Sequence, residues 1–163
     1  MIPNRSAPFV RPIEPADLAF VRDELVRHWH DVGIWSVGRR YQCDELPGLV
    51  AVDEAGERIG LLTYHIEDGG YQAEIVTVSS RLENRGVATA LLDAAVEASR
   101  AVGCVRVYLR ATNDNLRALG FYQKRGWKLH TIHKGYIDEA RKRVPIIPTH
   151  GMHGIPLRDE IEL

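Results

Sequence analysis

Cysteines and long apolar segments are scarce in this chain of 163 residues. Its two cysteines, Cys43 and Cys104, are far apart, which excludes a disulfide framework and the paired spacing of a cysteine metal site. No apolar run approaches the roughly 18 residues needed to span a bilayer. Residues 1–8 also lack the apolar stretch of an export signal. We therefore expect a reduced, cytoplasmic protein with no membrane partner.

An excess of charge of one sign is lacking as well. Lys and Arg total 21, Asp and Glu total 22, and the net charge of -1 gives no electrostatic reason to bind nucleic acid. The length and the 45% content of hydrophobic residues are sufficient for one domain over residues 1–163 with a core of its own.

Seven histidines raise the question of a metal site. Three closely spaced pairs occur, namely His28 and His30, His130 and His133, and His150 and His153. The first pair points to different faces of a helix, and the second to opposite faces of a strand. The third pair has no acidic or cysteine third ligand nearby. We expect no bound metal.

The periodicity of the apolar residues predicts alternating strands and helices. Predicted strands cover residues 9–13, 49–52, 58–67, 71–79, 104–111 and 127–136. Predicted helices cover residues 15–30, 87–102 and 115–125, and Gly103 is expected to end the second of them in a left-handed conformation. Residues 31–47 are predicted to be irregular, and residues 137–163 to form a C-terminal loop with a possible edge strand near residues 158–163. The order βαβββαβαβ is typical of an α/β fold with a single mixed, mostly antiparallel central sheet of about six or seven strands flanked by helices.

The segment of residues 75–92 is the most informative part of the sequence. A β-branched run ends in a polar loop, which delivers Arg85, Gly86 and Val87 to the start of an amphipathic helix. The first-turn N–H groups of a helix have no internal partner and lie at the positive end of its dipole. This spacing favours a phosphate-binding loop. Ordinary turn chemistry at Gly86 is the alternative.

A second motif follows in residues 109–127. Its characteristic positions are Asn115, Ala118, Phe121, Tyr122, Gly126 and Trp127. Together with residues 83–88, Glu-Asn-Arg-Gly-Val-Ala, it resembles the acetyl-CoA-binding motifs of the GCN5-related N-acetyltransferase (GNAT) family. The family's patterns are Gln/Arg-x-x-Gly-x-Gly/Ala and Asn-x-x-Ala-x-x-hydrophobic-Tyr-x-x-x-Gly-aromatic. Glu83 departs from the first pattern, and we expect its side chain to point to solvent while the backbone binds.

The resemblance implies an N-acetyltransferase that uses acetyl-CoA as cosubstrate. In that family the strand before the loop and the strand after the long helix splay apart to admit pantetheine. The backbone of Val76 and Val78 would then contact pantetheine and the acetyl carbonyl. Pyrophosphate would be bound by N–H groups of Asn84, Arg85, Gly86, Val87, Ala88 and Thr89. Asn115 either contacts pantetheine or caps its own helix.

The same resemblance suggests two catalytic residues. Tyr122 matches the tyrosine that protonates the departing thiolate, although an aromatic residue there could simply pack against the sheet. Glu74 lies in an Ala-Glu-Ile-Val run similar to the one that carries the catalytic glutamate in the histone-modifying branch, and is the candidate general base. An exposed carboxylate at a strand start is the alternative reading of Glu74. His65, Glu67 or a water chain could serve as base instead.

The resemblance implies that the acceptor is a primary amine of a small molecule or a peptide, whose identity is not encoded in these motifs. We expect the loop of residues 33–46 and the C-terminal tail to contact it. A carboxylate pocket near Asp44, Glu45 or Glu67 would favour a cationic acceptor. The basic run of residues 141–143 could hold an anionic group or form a solvated surface.

Two further expectations concern the whole protein. A non-catalytic acyl-CoA-binding sensor or regulatory module on the same scaffold is the alternative to an enzyme. A homodimer is possible, because dimers are common in the resembled family.

Overall fold

Apolar, β-branched segments form the central strands of this protein, for which a computed structural model describes residues 7–163. Most of residues 1–8, on which the expectation of no export signal depends, lies outside this range. The strands are β1 Phe9–Pro12, β2 Gly33–Ser36, β3 Arg39–Gln42, β4 Gly48–Val52, β5 Arg58–Ile66, β6 Gln72–Ser80, β7 Arg106–Thr112, β8 Thr131–His133 and β9 Glu160–Glu162. The helices are α1 Leu18–Trp29, α2 Val87–Ala101, α3 Leu116–Lys124 and α4 Tyr136–Arg143.

Seven strands form one mixed sheet in the order β1-β4-β5-β6-β7-β9-β8, and β2 and β3 form a separate two-stranded sheet. The predicted fold class is confirmed. Gly103 follows α2 with φ of 97°, as expected of a left-handed helix end. No helix in the described part of the chain is long and apolar enough to cross a membrane.

The chain divides into two compact units. Unit 1 comprises residues up to Ile34 together with Tyr41–Val107, and contains the antiparallel strands β1, β4, β5 and β6. Its main core cluster consists of Val21, Leu25, Tyr41, Cys43, Val50, Val52 and Leu61. Helix α1 contributes one apolar face to this core, because Val21 and Leu25 are one turn apart.

Gly60 of β5 allows the first turn of α2 to pack closely on the sheet. A Cβ atom at this position would lie 2.6 Å from Cγ1 of Val87 and 3.1 Å from the carbonyl oxygen of Ser79. Val87, the first residue of α2, is buried against this gap. The missing side chain therefore sets the height of the α2 N-terminus above β5.

Gly60→Ala is expected to lower the free energy of unfolding by about 1–3 kcal/mol, because the methyl group overpacks the contact with Val87. Urea unfolding followed by circular dichroism measures the change. Gly120→Ala is the matched control. A Cβ there meets no described atom within 4 Å, and alanine is preferred inside a helix. Equal stability of the two variants would contradict the expectation.

A buried carboxylate links β1, the turn before α1, and β5. Asp17 is fully buried and accepts hydrogen bonds from Arg11 at 2.6 and 3.0 Å, from Arg58 at 2.6 Å and from the backbone N–H of Glu14 at 2.8 Å. The hydrogen bonds from Arg11, opposed by burial, hold the pKa of Asp17 well below its usual range.

Asp17→Asn is expected to lower the free energy of unfolding at pH 7 by about 3 kcal/mol, because two arginines lose their charged partner. The folded-state pKa is below the unfolded value of about 4, so this stabilisation is present above about pH 4 and is lost as the pH falls through the folded value. Urea unfolding at a series of pH values measures the difference in the free energy of unfolding between wild type and variant. We expect this difference to become smaller in acid. Glu97→Gln, which removes an exposed carboxylate paired with Arg100, is the control. A difference in the free energy of unfolding that becomes larger in acid would contradict the lowered pKa of Asp17.

Unit 2 comprises Trp35–Arg40 and Tyr108–Leu163. Within it β9 pairs antiparallel with β7 on one side and with β8 on the other. The expected edge strand near residues 158–163 is therefore wrong in position, since β9 lies between two strands and β8 is at the edge. A charged Glu-Ile-Glu run is unusual inside a sheet, but the buried Glu162 carboxylate has partners on both β7 and β8.

The turn after β7 secures the C-terminal segment of unit 2. Oδ1 of Asn113 accepts hydrogen bonds from the backbone N–H groups of Arg158 and Asp159, each at 3.0 Å. Oδ2 of Asp114 accepts one from the N–H of Met152 at 2.7 Å. These side chains hold a segment that has little regular structure of its own.

Two segments differ from the sequence-based expectation. Residues 31–47 were expected to be irregular but form the β2–β3 hairpin, whose turn has positive φ at Val37 and Gly38. The strand expected over residues 127–136 is limited to Thr131–His133, and α4 follows it where a loop was expected. Acidic residues in the first turn of α4 and basic residues in its last turn suit the helix dipole.

Candidate active site

The loop of residues 81–86 joins β6 to α2, and all its residues are exposed. Asn84 and Gly86 are left-handed, with φ of 54° and 73°. No described side chain caps the N-terminus of α2, which begins at Val87. Residues that alternate in this way turn successive N–H groups towards one side, and first-turn N–H groups need an outside acceptor. The loop and helix start can therefore bind an anion such as a phosphate.

The predicted pyrophosphate-binding residues, Asn84, Arg85, Gly86, Val87, Ala88 and Thr89, all lie in this loop and in the first turn of α2. Glu83 is exposed. That the backbone groups, rather than this carboxylate, contact an anion stays a prediction.

Val76 and Val78 lie on β6, which leads into the loop. The β5–β6 register pairs Thr63 with Thr77 but Tyr64 with Ile75, so Val76 is the extra residue of a β-bulge. Val78 is regularly paired, opposite Leu62. A bulge interrupts the ladder and redirects the backbone, so the strand changes direction at one of the two predicted contact positions. Binding of pantetheine by these residues stays a prediction.

Glu74 is buried inside the sheet. Only 2% of its surface is exposed, and its Oε2 accepts a hydrogen bond from the Tyr41 hydroxyl at 2.6 Å. His65 lies directly opposite on β5, with its ring 5.3 Å from that of Tyr41. The alternative reading of Glu74 as an exposed carboxylate is therefore wrong. Of the two alternative bases, His65 lies in this group, whereas Glu67 belongs to the turn between β5 and β6.

Tyr41 was not identified from the sequence. It belongs to β3, in the segment expected to be irregular, and it is separated from Glu74 by 33 positions. The hydrogen bond from the Tyr41 hydroxyl holds the Glu74 carboxylate in one position within unit 1.

Unit 2 carries Asn115 and Tyr122, the two residues of the second motif that were predicted to belong to the site. Asn115 caps α3, because its Oδ1 accepts the N–H of Ala118 at 3.1 Å, and this confirms the capping role. Tyr122 is buried and makes edge-on ring contacts with Phe121 and Trp127 at 5.4 and 6.3 Å. Burial raises the pKa of Tyr122 to about 12. Its hydroxyl therefore stays protonated at neutral pH, as a proton donor must.

A further charged group of unit 2 was not predicted. Glu162 accepts hydrogen bonds from Arg110 at 2.9 and 3.0 Å and lies 3.1 Å from Nε2 of His133. Arg110 also donates to Oγ of Ser36 at 3.0 Å, in the tip of the β2–β3 hairpin. These partners are 29 to 74 positions apart, and no local pattern connects them. The group holds the hairpin tip, β7, β8 and β9 of unit 2 together.

Two groups considered for the acceptor have structural partners. Asp44 accepts hydrogen bonds from Arg22 and Gln42, each at 2.8 Å. Burial acts to raise its pKa, but these hydrogen bonds leave the pKa of Asp44 below its usual range. Arg141 donates to the carbonyl oxygens of Ile147, Pro148 and Leu157. It therefore holds the C-terminal segment and is neither a solvated charge nor a ready anion site. Within residues 7–163, no group of three His, Cys, Asp or Glu side chains is gathered as for a metal ion.

The mixed sheet, the bulged strand and the uncapped helix behind a left-handed loop define the GNAT-like fold expected from the sequence. Residues 17–127 match the model of the family described as "Acetyltransferase (GNAT) family". This match covers most of the chain, which therefore belongs to the GNAT acetyltransferase family.

Known proteins resemble the chain over nearly its whole length. Bacillus subtilis (strain 168) YdhI, an uncharacterised protein, is 40% identical over 139 residues, which cover 85% of this chain and 86% of YdhI. A GNAT family acetyltransferase from Elizabethkingia anophelis, solved with acetyl-CoA bound, superposes with a TM-score of 0.68 at 19% identity, covering 98% of this chain and 97% of that one. The IAA acetyltransferase of Bacillus cereus ATCC 14579 superposes with a TM-score of 0.67 at 20% identity, covering 96% of this chain and 97% of that one. At these identities the two structures support the fold alone.

Proposed function

We propose that this chain transfers an acetyl group from acetyl-CoA to a primary amine of a small molecule or a peptide, by direct attack in a ternary complex. The observation that carries the proposal is the β6–α2 loop, where left-handed Asn84 and Gly86 precede a helix that no described side chain caps. Such a backbone cradle fits the pyrophosphate of CoA. Membership of the GNAT family and the acetyl-CoA bound by the Elizabethkingia protein support this cosubstrate.

In the proposed reaction the amine nitrogen attacks the thioester carbonyl carbon, so a C–N bond forms and the C–S bond breaks. Glu74 takes the proton that the amine loses, directly or through water. Tyr122 gives its hydroxyl proton to the departing thiolate. Backbone N–H groups near Val76 and Val78 stabilise the charge that develops on the carbonyl oxygen. Both side chains then exchange protons with solvent, which leaves an amide and free CoA.

The surroundings of the two proposed catalytic groups differ. The Glu74 carboxylate accepts a hydrogen bond from the Tyr41 hydroxyl, and burial raises the pKa of Tyr122 to about 12. Tyr122 is therefore a neutral phenol near pH 7, which is the form that can donate a proton to a departing thiolate. This supports the proposed role of Tyr122 as the acid.

Two measurements on the purified protein test the proposal. Release of free thiol from acetyl-CoA is followed across a panel of primary amines, and thermal unfolding is recorded with and without CoA. We expect CoA to raise the unfolding temperature and at least one amine to release thiol. Stabilisation by CoA without thiol release on any amine would favour the non-catalytic sensor. A wild-type protein that does not bind CoA would overturn both functions.

A further inference from the structure

A second fully buried carboxylate lies at the end of β6, immediately before the loop of residues 81–86. Glu24 of α1 has no exposed surface. Its Oε2 accepts a hydrogen bond from Oγ of Ser79 at 2.9 Å, and its Oε1 accepts one from Nε of Arg81 at 2.6 Å. The side chain thus joins α1 both to β6, at Ser79, and to Arg81, the first residue of the loop.

The carboxylate occupies a position where an apolar side chain would be expected. Val21 and Leu25, on the same face of α1, are fully buried in the core cluster. Burying a carboxylate costs free energy unless its partners are close and well oriented. A carboxylate here is therefore a costly way to fill the core but an accurate way to fix the residues that it binds.

Arg81 is held from several sides. Besides Glu24, its guanidinium contacts the carboxylate of Asp23 at 2.7 Å and lies 4.8 Å from the ring centre of Phe20. Its backbone N–H donates to the carbonyl oxygen of Ile59 at 2.8 Å. Two carboxylates engage this guanidinium, so Arg81 is suited to fix the loop rather than to bind phosphate itself.

The two ends of the loop are consequently anchored, while its middle is exposed. One end is fixed at Arg81 by Glu24, and the other at Val87, which is buried beside Gly60. A loop that is already ordered loses less conformational entropy when it binds a ligand. Anchoring at both ends keeps the left-handed residues between them, and their N–H groups, in one arrangement.

We propose that Glu24 is a positioning residue for CoA, which holds Ser79 and Arg81 and thereby keeps the loop of residues 81–86 in its phosphate-binding conformation. This inference rests on the proposed function. Two further basic groups, Nε of Arg27 at 3.7 Å and Nε2 of His28 at 3.5 Å, lie near the same carboxylate. Glu24 acts on CoA through the loop and does not touch the reacting atoms.

The test compares Glu24→Gln with wild type and with Glu97→Gln, an exposed control on α2. Calorimetric titration with CoA is expected to give a Kd about tenfold higher for Glu24→Gln, because the neutral amide holds Arg81 less tightly. The KM for acetyl-CoA rises in parallel, whereas kcat at saturating acetyl-CoA stays within about twofold. A residue that only stabilised the fold would leave both constants unchanged well below the unfolding temperature.

Ser79→Ala and Arg81→Ala keep the inference testable if Glu24→Gln does not fold. Ser79→Ala is expected to weaken CoA binding by a smaller factor than Glu24→Gln. The double variant Glu24→Gln/Arg81→Ala is expected to bind CoA no more weakly than Arg81→Ala alone, because both changes release the same anchor. Fully additive losses, or a lower kcat with an unchanged KM, would overturn the positioning role. If wild type binds CoA and the variants bind it equally well, this inference alone is overturned. If wild type does not bind CoA, the proposed function is rejected as well.

Discussion

Tyr122→Phe is expected to lower kcat by about 10²-fold while leaving the Kd for CoA nearly unchanged. The change removes only the hydroxyl, so the ring contacts with Phe121 and Trp127 are kept. A thiolate that departs without a proton donor leaves more slowly, and this loss appears in the chemical step. Thiol release at saturating substrates measures kcat, and calorimetry measures CoA binding.

The pH profile gives a second readout for Tyr122. Because burial raises its pKa to about 12, the phenol stays protonated and kcat should not fall through its ionisation below about pH 10. Tyr71→Phe, which removes an exposed tyrosine hydroxyl, is the control and should leave kcat unchanged. A Tyr122→Phe enzyme with wild-type kcat, in an assay limited by chemistry, would reject the general-acid role.

Glu74→Gln is expected to lower kcat by about 10²-fold or more, with little change in the KM for acetyl-CoA. Glutamine keeps the size of the side chain and can still accept the hydrogen bond from Tyr41, so the sheet is preserved. What is lost is the capacity to take a proton. Initial rates at saturating amine and acetyl-CoA measure the effect.

Matched variants distinguish Glu74 from the other candidate bases. Glu67→Gln, in the turn between β5 and β6, is expected to behave like wild type. His65→Asn removes a titratable ring that lies opposite Glu74, and it should lower kcat less than Glu74→Gln does. If His65→Asn lost more activity than Glu74→Gln, the base would be the histidine. Wild-type rates in all three variants would indicate a water chain.

Local patterns were sufficient for the parts of the fold that local chemistry controls. The strand–loop–helix unit around Gly86, the cap at Asn115 and the helix end at Gly103 each follow from neighbouring residues, and each has the expected conformation. The β2–β3 hairpin and α4 were not recognised. Glycines interrupt the periodicity of the first, and in α4 only Ile137 and Ala140 are buried, which is too few for a clear helical pattern.

Buried carboxylates mark the limit of what this sequence could reveal. Asp17, Glu24, Glu74 and Glu162 all look like surface residues when only their neighbours are considered. Their partners are as far as 41, 57, 33 and 52 positions away, on strands or directly after a strand, and no local pattern specifies how these strands pair. The sequence indicated the backbone cradle and the candidate acid and base, whereas the side chains that orient them depend on the completed fold.

Because β9 lies between β7 and β8, the order of these strands in the sheet differs from the order in which they are synthesised. A ribosome delivers β7 and β8 well before residues 160–162, yet neither strand contacts the other in the finished sheet. Until that last strand emerges, both keep unpaired backbone edges, and the nascent chain depends on slow, non-local pairing to finish unit 2. Chaperone dependence during translation should therefore concentrate in this half of the molecule.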